Sequence, residues 1–370
     1  MIDTGSLMRI SRSAVAAAIL ATTTAVAFGV SIGSASAESG ADPVPSASES
    51  TPAKLPLGVY LDLNAVEVGN PIKVIGYTQT TGDRRGPAGL EFTVARAVVG
   101  GASETVGTTK TDAAGAFEFI DTPPRMVAEF EYTVSFAGND EYDAVTTTGR
   151  TATGKRHTTL TLDRNKSVFS YGSTVTFTAK LGATHQNRTV NFYADPAGAP
   201  PKKLVKKVTA NSAGKASVSL RLTRNTTVTA SFPGDAWTWA RAVKSDARTK
   251  VKVSTELSGH HKTGKIGSKK YHYFRKSAKP RLGVTMTAYP GRKQKTVVQY
   301  YAAGKWQSYT YRFTKLNKDG KSTAKLSTSF LVGRKFRIRS EYVPGYPSPR
   351  TSGDTLNHTT ASDWKYFIIK

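Results

Sequence analysis

The chain has 370 residues, a formal net charge of +26 and no cysteine, and 38% of its residues are hydrophobic. This apolar content can fill several small cores, so the composition excludes a wholly disordered chain. The lack of cysteine excludes disulfide frameworks, thiol nucleophiles and cysteine-ligated zinc sites. Beyond the N-terminus no apolar run reaches the roughly 20 residues of a membrane-spanning helix, which excludes a multi-pass membrane protein.

The first 37 residues have the three parts of a signal peptide. Arg9 and Arg12 form a positive n-region, residues 14–30 are mostly Ala, Val, Ile, Leu and Thr, and Ala35-Ser36-Ala37 supplies a small-residue cleavage site. The pattern predicts export with cleavage before Glu38, the alternative being an uncleaved membrane anchor. Residues 38–56 are rich in Ser, Pro and Ala and predict a flexible leader. We expect a secreted protein, released or associated with the cell surface.

From Leu57 onward the hydrophobic pattern has a period of two. Short runs of Val, Thr, Phe and Tyr are separated by Gly, Pro, Asn and Asp at spacings near ten residues. In residues 335–339, Phe336 and Ile338 face one way and three basic residues face the other. No segment after residue 37 shows a helical stripe, so the sequence predicts an all-β protein.

Two stretches of the chain repeat each other. Leu61 and Leu160 open them, and each is followed 54 residues later by a turn glycine, Gly115 or Gly214. A second turn follows, at residues 136–140 in the first copy and 232–235 in the second. A looser third copy has a turn at Asp319-Gly320-Lys321 and a second one at residues 342–345. The repeat predicts three tandem Ig-like β-sandwich domains, at residues 57–154, 155–250 and 251–370.

The motif Phe136-x-Gly138-Asn139-x-x-Tyr142 resembles the aromatic-x-Gly-Asp-x-x-Tyr turn of bacterial Ig-like repeat domains. Such domains occur in tandem in secreted and surface proteins of Gram-positive bacteria. The resemblance covers about residues 57–250, and the third unit shares a Gly-Lys-Ser turn and a Pro-Gly pair with it. It implies a spacer, adhesion or binding role without catalysis.

Charge is distributed unevenly along the chain. Residues 55–154 contain 7 Lys or Arg against 13 Asp or Glu, whereas residues 155–250 contain 17 against 4 and residues 251–370 contain 25 against 5. The basic units are expected to bind polyanions by counterion release, and outside a cell the partner would be an anionic cell-wall polymer or polysaccharide. Alternatively, the charge keeps the domains soluble and protects edge strands. The candidate polyanion-binding residues are Lys262, Lys265, Lys269, Lys270, Arg275, Lys276, Lys279, Arg281, Arg292, Lys293 and Lys295, the last three in an expected hairpin loop.

Aromatic residues supply a second set of candidates. Alternation predicts that Tyr309 and Tyr311 share one face of a strand and contribute to an aromatic and basic surface. Trp237 and Trp239 lie one residue to either side of the position that Tyr142 occupies in the first copy. These tryptophans are candidates for stacking on a ligand, but packing in a core or between domains is the favoured interpretation. Sequence-specific reading of nucleic acid is not expected, since no recognition helix is visible.

The sequence carries no catalytic signature, because H-E-x-x-H, G-x-S-x-G and phosphate-loop motifs are all missing. Glu129 and Glu131 fall about 7 Å apart on one strand face, near a glycosidase spacing, but an exposed acidic stripe explains them better. Residues 139–143 offer oxygens for Ca²⁺ or a simple Asx turn. At most one of His260 and His261 can join His272 around a metal. We predict no enzyme activity, no cofactor and no metal.

The favoured interpretation is a non-catalytic secreted Ig-like repeat protein that binds anionic polymers through its second and third domains. The alternative is a homo-oligomer, in which the oppositely charged ends associate head to tail. An accessory module of a carbohydrate-active system is a further alternative.

Overall fold

The computed structural model describes residues 53–82, 84–326 and 332–370, so the predicted signal peptide and most of the leader lie outside the described residues. The described residues form 27 β-strands and no α-helix. Within these ranges no helix is long and apolar enough to cross a membrane. The prediction of an all-β chain built from three sandwiches is confirmed.

The strands fall into three groups along the chain. The first contains β1 (Leu57–Leu63), β2 (Val66–Glu67), β3 (Ile72–Thr80), β4 (Arg84–Arg85), β5 (Glu91–Val98), β6 (Glu104–Lys110), β7 (Ala116–Asp121), β8 (Ala128–Phe136) and β9 (Val145–Gly154). The second contains β10 (Leu160–Leu162), β11 (Val168–Phe169), β12 (Thr174–Leu181), β13 (Thr189–Pro196), β14 (Lys203–Thr209), β15 (Lys215–Arg221), β16 (Thr226–Phe232) and β17 (Arg241–Thr249). The third contains β18 (Val253–Ser258), β19 (Lys262–Ile266), β20 (Lys269–Phe274), β21 (Arg281–Met286), β22 (Lys293–Ala302), β23 (Lys305–Lys315), β24 (Lys321–Lys325), β25 (Lys335–Tyr342), β26 (Thr360–Ala361) and β27 (Lys365–Ile369).

The first two groups share one strand order. In the first, β1, β3 and β7 form one sheet with β4 at its edge, and the other sheet runs β2-β9-β8-β5-β6. In the second, the sheets run β10-β12-β15 and β11-β17-β16-β13-β14. The short strands β2 and β11 pair in parallel with β9 and β17, whereas the neighbouring pairs are antiparallel. Two antiparallel sheets with this order are an Ig-like sandwich.

The third group adds a hairpin to the same plan. Its sheets run β18-β21-β24 and β19-β20-β27-β25-β22-β23, with β26 paired to the end of β25. The hairpin β19–β20 takes the place of the single short strands β2 and β11, since β20 pairs in parallel with β27. Phe274, Phe336 and Phe367 pack in the core between the sheets. The larger sheet is therefore wider than in the other two sandwiches.

The same tight turn recurs in all three sandwiches. Gly115, Gly214 and Gly320 have φ angles of 67°, 76° and 72°, and a Cβ atom at any of them would overlap a backbone carbonyl oxygen. An Asx side chain three residues earlier accepts the backbone amides of the turn. Only glycine satisfies both the conformation and the close approach, so these turns fix the strand register.

The second recurring turn follows the strands β8 and β16. Asn139 Oδ1 accepts the amides of Glu141 and Tyr142, and Asp235 Oδ1 accepts the amide of Trp237. In the third sandwich the equivalent turn is at Gly353-Asp354, where Asp354 Oδ1 accepts the amide of Leu356 at 3.2 Å. The expected position at residues 342–345 is wrong, because an inserted loop separates the end of β25 from the turn.

Candidate polyanion-binding face

The outer face of the larger sheet in the third sandwich collects basic and aromatic side chains. Along β25, Phe336 and Ile338 are fully buried, while Lys335, Arg337 and Arg339 lie half-buried on the other side. The alternation predicted for this strand is thus confirmed. Pairing with β22 places Lys295 opposite Glu341 on the same face.

Arg337 is held between two indole rings. Its guanidinium carbon lies 4.6 Å from the ring centre of Trp306 and 4.3 Å from that of Trp364. Arg339 lies 4.4 Å from Trp364, and Arg337 Nε donates a 2.7 Å hydrogen bond to the side chain of Gln299. These contacts fix the guanidinium by cation–π attraction while it keeps its charge.

A row of aromatic rings crosses the strands beside Arg337. Tyr301 and Trp306 have ring centres 5.2 Å apart, Trp306 and Tyr366 5.7 Å, and Tyr366 and Tyr271 5.4 Å. Burial raises the pKa of Tyr271, so its hydroxyl stays neutral beside the basic residues. We call this surface the basic–aromatic face, and it comprises Lys295, Tyr301, Trp306, Arg337, Arg339, Trp364 and Tyr366.

Two of the five acidic residues in 251–370 are paired internally and do not cancel the positive surface. Asp354 binds Arg292 inside the fold, with Oδ1 2.7 Å from Nη2. Glu341 accepts hydrogen bonds from Lys295 Nζ at 3.2 Å and Arg339 Nε at 2.8 Å. Arg337 has no carboxylate partner among the described residues. Its positive charge is therefore not paired with a carboxylate of the face.

Most of the predicted basic residues lie on the surface near one edge of this sheet. The hairpin β19–β20 carries Lys262, Lys265, Lys269 and Lys270, and the exposed segment that follows carries Arg275, Lys276 and Lys279. Arg281 is exposed at the start of β21, in the smaller sheet. Lys262 lies 5.4 Å from the ring of Tyr273 on the same side as the basic–aromatic face. The hairpin thus extends the positive charge beyond the face.

Arg292 is a correction to the predicted set. It is only 1% exposed, and its Nε and Nη2 donate to the Asp354 carboxylate at 2.8 and 2.7 Å. Lys293 and Lys295 also differ from the prediction, because they belong to β22 and follow the Pro290-Gly291 turn. Arg292 supports the interior of the fold and cannot contribute to a binding surface.

The expectation that Tyr309 and Tyr311 share a face is wrong. The pairing of β22 with β23 shifts register between Val298 and Gln299, which inserts Tyr309 as an extra residue. The ring of Tyr309 therefore packs against the core ring of Phe336 at 6.1 Å. Tyr311 lies on the opposite side, where Lys295 Nζ is 5.2 Å from its ring centre.

Trp237 and Trp239 flank Thr238, which is fully buried at the position of Tyr142. Trp237 stacks on His185 with ring centres 3.4 Å apart. Trp239 is 52% exposed, and Lys155 Nζ lies 5.6 Å from its ring centre. Both tryptophans lie far along the sequence from the basic–aromatic face, at the first junction between sandwiches.

The weaker candidates have ordinary structural roles. Glu131 pairs with Arg150 at 2.8 Å and Glu129 is exposed, as an acidic stripe requires. His260 and His272 meet with Nδ1 atoms 3.4 Å apart. Burial lowers the pKa of His272, and the positive charges of His260, Lys270 and Lys365 lower it further. The described residues contain no group of three or more His, Asp or Glu able to hold a metal ion.

The signal for the basic–aromatic face was only partly visible in sequence. The alternation in β25 predicted that Arg337 and Arg339 lie on the face opposite the core. The contacts of Arg337 with Trp306 and Trp364 instead depend on strand pairing, because these residues lie 31 and 27 positions from Arg337 in the chain. No sequence rule of spacing predicts that contact.

No family model matches the chain, and no curated protein matches it either. Among solved structures, it is similar to the FN1–FN3 domains of chicken CNTN1, with 12% identity over 84% of this chain and 98% of that one and a TM-score of 0.21. The D1–D4 ectodomain fragment of ICAM-5 shows 11% identity over 84% and 77%, with a TM-score of 0.34. Dimeric latent PorU from Porphyromonas gingivalis shows 12% identity over 85% of this chain but 34% of its own, with a TM-score of 0.21.

Proposed function

We propose that this chain is a non-catalytic, exported binding protein whose third sandwich docks on anionic extracellular polymers through the basic–aromatic face. The observation that carries the proposal is Arg337, a charged side chain fixed between Trp306 and Trp364 without a carboxylate partner among the described residues. The hairpin β19–β20 and the basic second sandwich add long-range attraction.

Pre-organisation favours binding at this face. A free arginine side chain loses conformational entropy when it grips an anion, but the rings of Trp306 and Trp364 already restrict Arg337. Its planar fork suits bidentate contact with a carboxylate or phosphate, and the half-buried rings offer stacking to a polymer that carries sugar rings. The lysines of the hairpin act as point charges, so their contribution falls as salt rises.

The test is retention of the full chain on immobilised polyphosphate and on immobilised polygalacturonate, over a salt series. We expect binding to both polymers that falls steeply with salt, because bound counterions are released. Arg337→Ala should weaken binding by about tenfold or more, and Arg337→Lys should restore only part of it, since lysine keeps the charge but loses the fork. Thermal unfolding of each variant verifies that the fold persists.

Lys321→Ala is the matched control. Lys321 is exposed on β24 in the smaller sheet, so its removal changes the net charge equally without touching the basic–aromatic face. We expect less than a twofold change for this variant. Equal losses for Arg337→Ala and Lys321→Ala would mean that the net charge alone attracts the polymer, and the proposed face would be rejected.

Charge reversal of the hairpin separates the two parts of the surface. Lys269→Glu and Lys270→Glu, with Arg275→Glu and Lys276→Glu, remove the edge charges but leave Arg337 and its rings in place. We expect a weaker salt dependence with residual binding to polygalacturonate. Unchanged retention on both polymers would eliminate these positions from the binding surface.

A further inference from the structure

A polar cavity of about 480 Å³ lies at the junction of the first and second sandwiches. Val68 and Asn70 beside β2, and Arg125 before β8, line it from the first sandwich. Arg156 at the start of the second sandwich, His185 and Trp237 line it from the other side. A cavity of this size holds a small ligand, and its walls come from both sandwiches.

Arg156 is the unsatisfied group of this cavity. Its Nε is enclosed and has no hydrogen-bond partner in the described part of the chain. Neither Arg156 nor Arg125 forms an ion pair with any described residue. Arg156 is half-buried and Arg125 is exposed. Because the enclosed Nε of Arg156 lacks a partner, an anion that accepts its hydrogen bond would satisfy this group and offset both positive charges.

The nearby carboxylates bind backbone amides and form no ion pair with either arginine. Asp235 accepts the backbone amides of His185 at 2.8 Å, Gln186 at 3.2 Å and Trp237 at 3.0 Å. Glu67, which lines the cavity, accepts the amide of His157 at 3.3 Å. Both acids therefore stabilise the loops that shape the cavity, and neither is a direct partner of Arg125 or Arg156 among the described residues.

One hydroxyl group in the cavity wall is also unpaired. Thr184 Oγ1 is enclosed without a hydrogen-bond partner among the described residues. Leaving a buried polar group unpaired is unfavourable, so natural folds rarely place two such groups in one cavity. Arg156 Nε and Thr184 Oγ1 therefore both lack a partner in the wall of this cavity.

We propose that this cavity is a binding site for a small oxyanion, a carboxylate, phosphate or sulfate group, held by Arg125 and Arg156. The site is separate from the basic–aromatic face and does not depend on the polymer-binding proposal. An oxyanion supplies the missing counter-charge and accepts hydrogen bonds from the guanidinium groups. Since the arginines belong to different sandwiches, the bound anion links the two across the junction.

The test is titration of the full chain with inorganic phosphate, sulfate and glucuronate, each matched in ionic strength with sodium chloride. Spectra of arginine Nε–H groups in ¹⁵N-labelled protein report on Arg156 directly, and the fluorescence of Trp237 gives a second readout. We expect saturable shifts with at least one of these anions and none with chloride. Trp237→Phe should remove the fluorescence change but leave the Nε–H shift.

Arg156→Gln should weaken binding by at least tenfold, and Arg125→Gln by about threefold or more. Arg248→Gln is the matched control, because Arg248 is exposed on β17 away from the cavity. The affinity of this variant for the anion should equal that of the wild type. If Arg156→Gln fails to fold, Arg156→Lys takes its place, since it keeps the positive charge but loses the guanidinium fork and should bind the anion more weakly than the wild type. A linear, unsaturable response, or equal affinity for wild type and Arg156→Gln, would overturn the proposal. Binding that persists in Arg337→Ala separates this site from the basic–aromatic face.

Discussion

Removing the carboxylate of Asp354 should destabilise the third sandwich more than any surface substitution. Asp354 accepts hydrogen bonds from Arg292 Nε at 2.8 Å, from Arg292 Nη2 at 2.7 Å and from the hydroxyl of Tyr342 at 2.7 Å. Burial alone would raise the pKa of Asp354, but the bonds from Arg292 and Tyr342 and the charge of Arg292 lower it overall. The carboxylate is therefore ionised and serves as the counter-charge of a buried guanidinium.

Asp354→Ala leaves the charge of Arg292 buried and unpaired. Breaking one side of a buried ion pair costs about 3–5 kcal/mol. For a sandwich of this size each kcal/mol lowers the melting temperature by roughly 4 °C, so its transition should fall by about 12–20 °C. Differential scanning calorimetry of the full chain measures that shift. Replacing both partners, as in Arg292→Met with Asp354→Leu, should recover most of the loss.

The control is Glu256→Gln, which removes an exposed carboxylate on β18 of the same sandwich and should shift the transition by less than 2 °C. The pH dependence has a defined direction as well. Stabilisation by Asp354 is complete above the pKa of an unfolded aspartate, about 3.9, and is lost as the pH falls through the lower pKa of the folded state. A loss below 1 kcal/mol for Asp354→Ala, or no gain from the double replacement, would refute the reasoning.

Three other outcomes are expected. Gly320→Ala should lower the free energy of unfolding in urea by at least about 3 kcal/mol, because its Cβ would overlap a backbone carbonyl in addition to straining the backbone. Gly291→Ala, at a similar φ in open space, should lower it by about 1–2 kcal/mol. Equal costs for the two variants would contradict this. Burial and the hydrogen bond to Asp121 raise the pKa of Tyr132, so the stability should fall above about pH 10, and Tyr132→Phe should reduce that slope, unlike Tyr60→Phe at an exposed ring. If oppositely charged ends associate head to tail, sedimentation at low salt should depend on concentration and revert to a monomer at high salt; a monomer throughout would end that alternative.

The repeating features of the fold could be predicted from the sequence. The turns at Gly115, Gly214 and Gly320 could be predicted, because no other residue tolerates their conformation and packing. The period of two in β25 correctly divided core from surface, because burial on one face of a strand dictates alternation. These signals are local, and each can be read within a few residues.

The predictions that were wrong concern residues whose positions depend on pairing between distant strands or on an inserted residue. Tyr309 left the expected face because one extra residue in β23 reverses the alternation, and a bulge has no clear mark in the sequence. Arg292 was predicted to lie on the surface with the neighbouring lysines, because its buried partner Asp354 is 62 residues away in the sequence. The stack of Trp306, Arg337 and Trp364 also required the strand order. Local patterns therefore predicted the framework but not the candidate site.

The parallel strand pairs have a consequence for a chain pulled by its ends. In each sandwich a strand near the entrance runs parallel to the last strand, over two residue pairs at β2–β9, two at β11–β17 and four at β20–β27. Tension applied at the two ends draws such strands in opposite directions along their length, so their hydrogen bonds resist together in shear rather than opening one at a time. The third sandwich, with the longest such pair, should yield to force last. If the third sandwich holds the polymer, it would stay folded and bound while the first two sandwiches unfolded under tension.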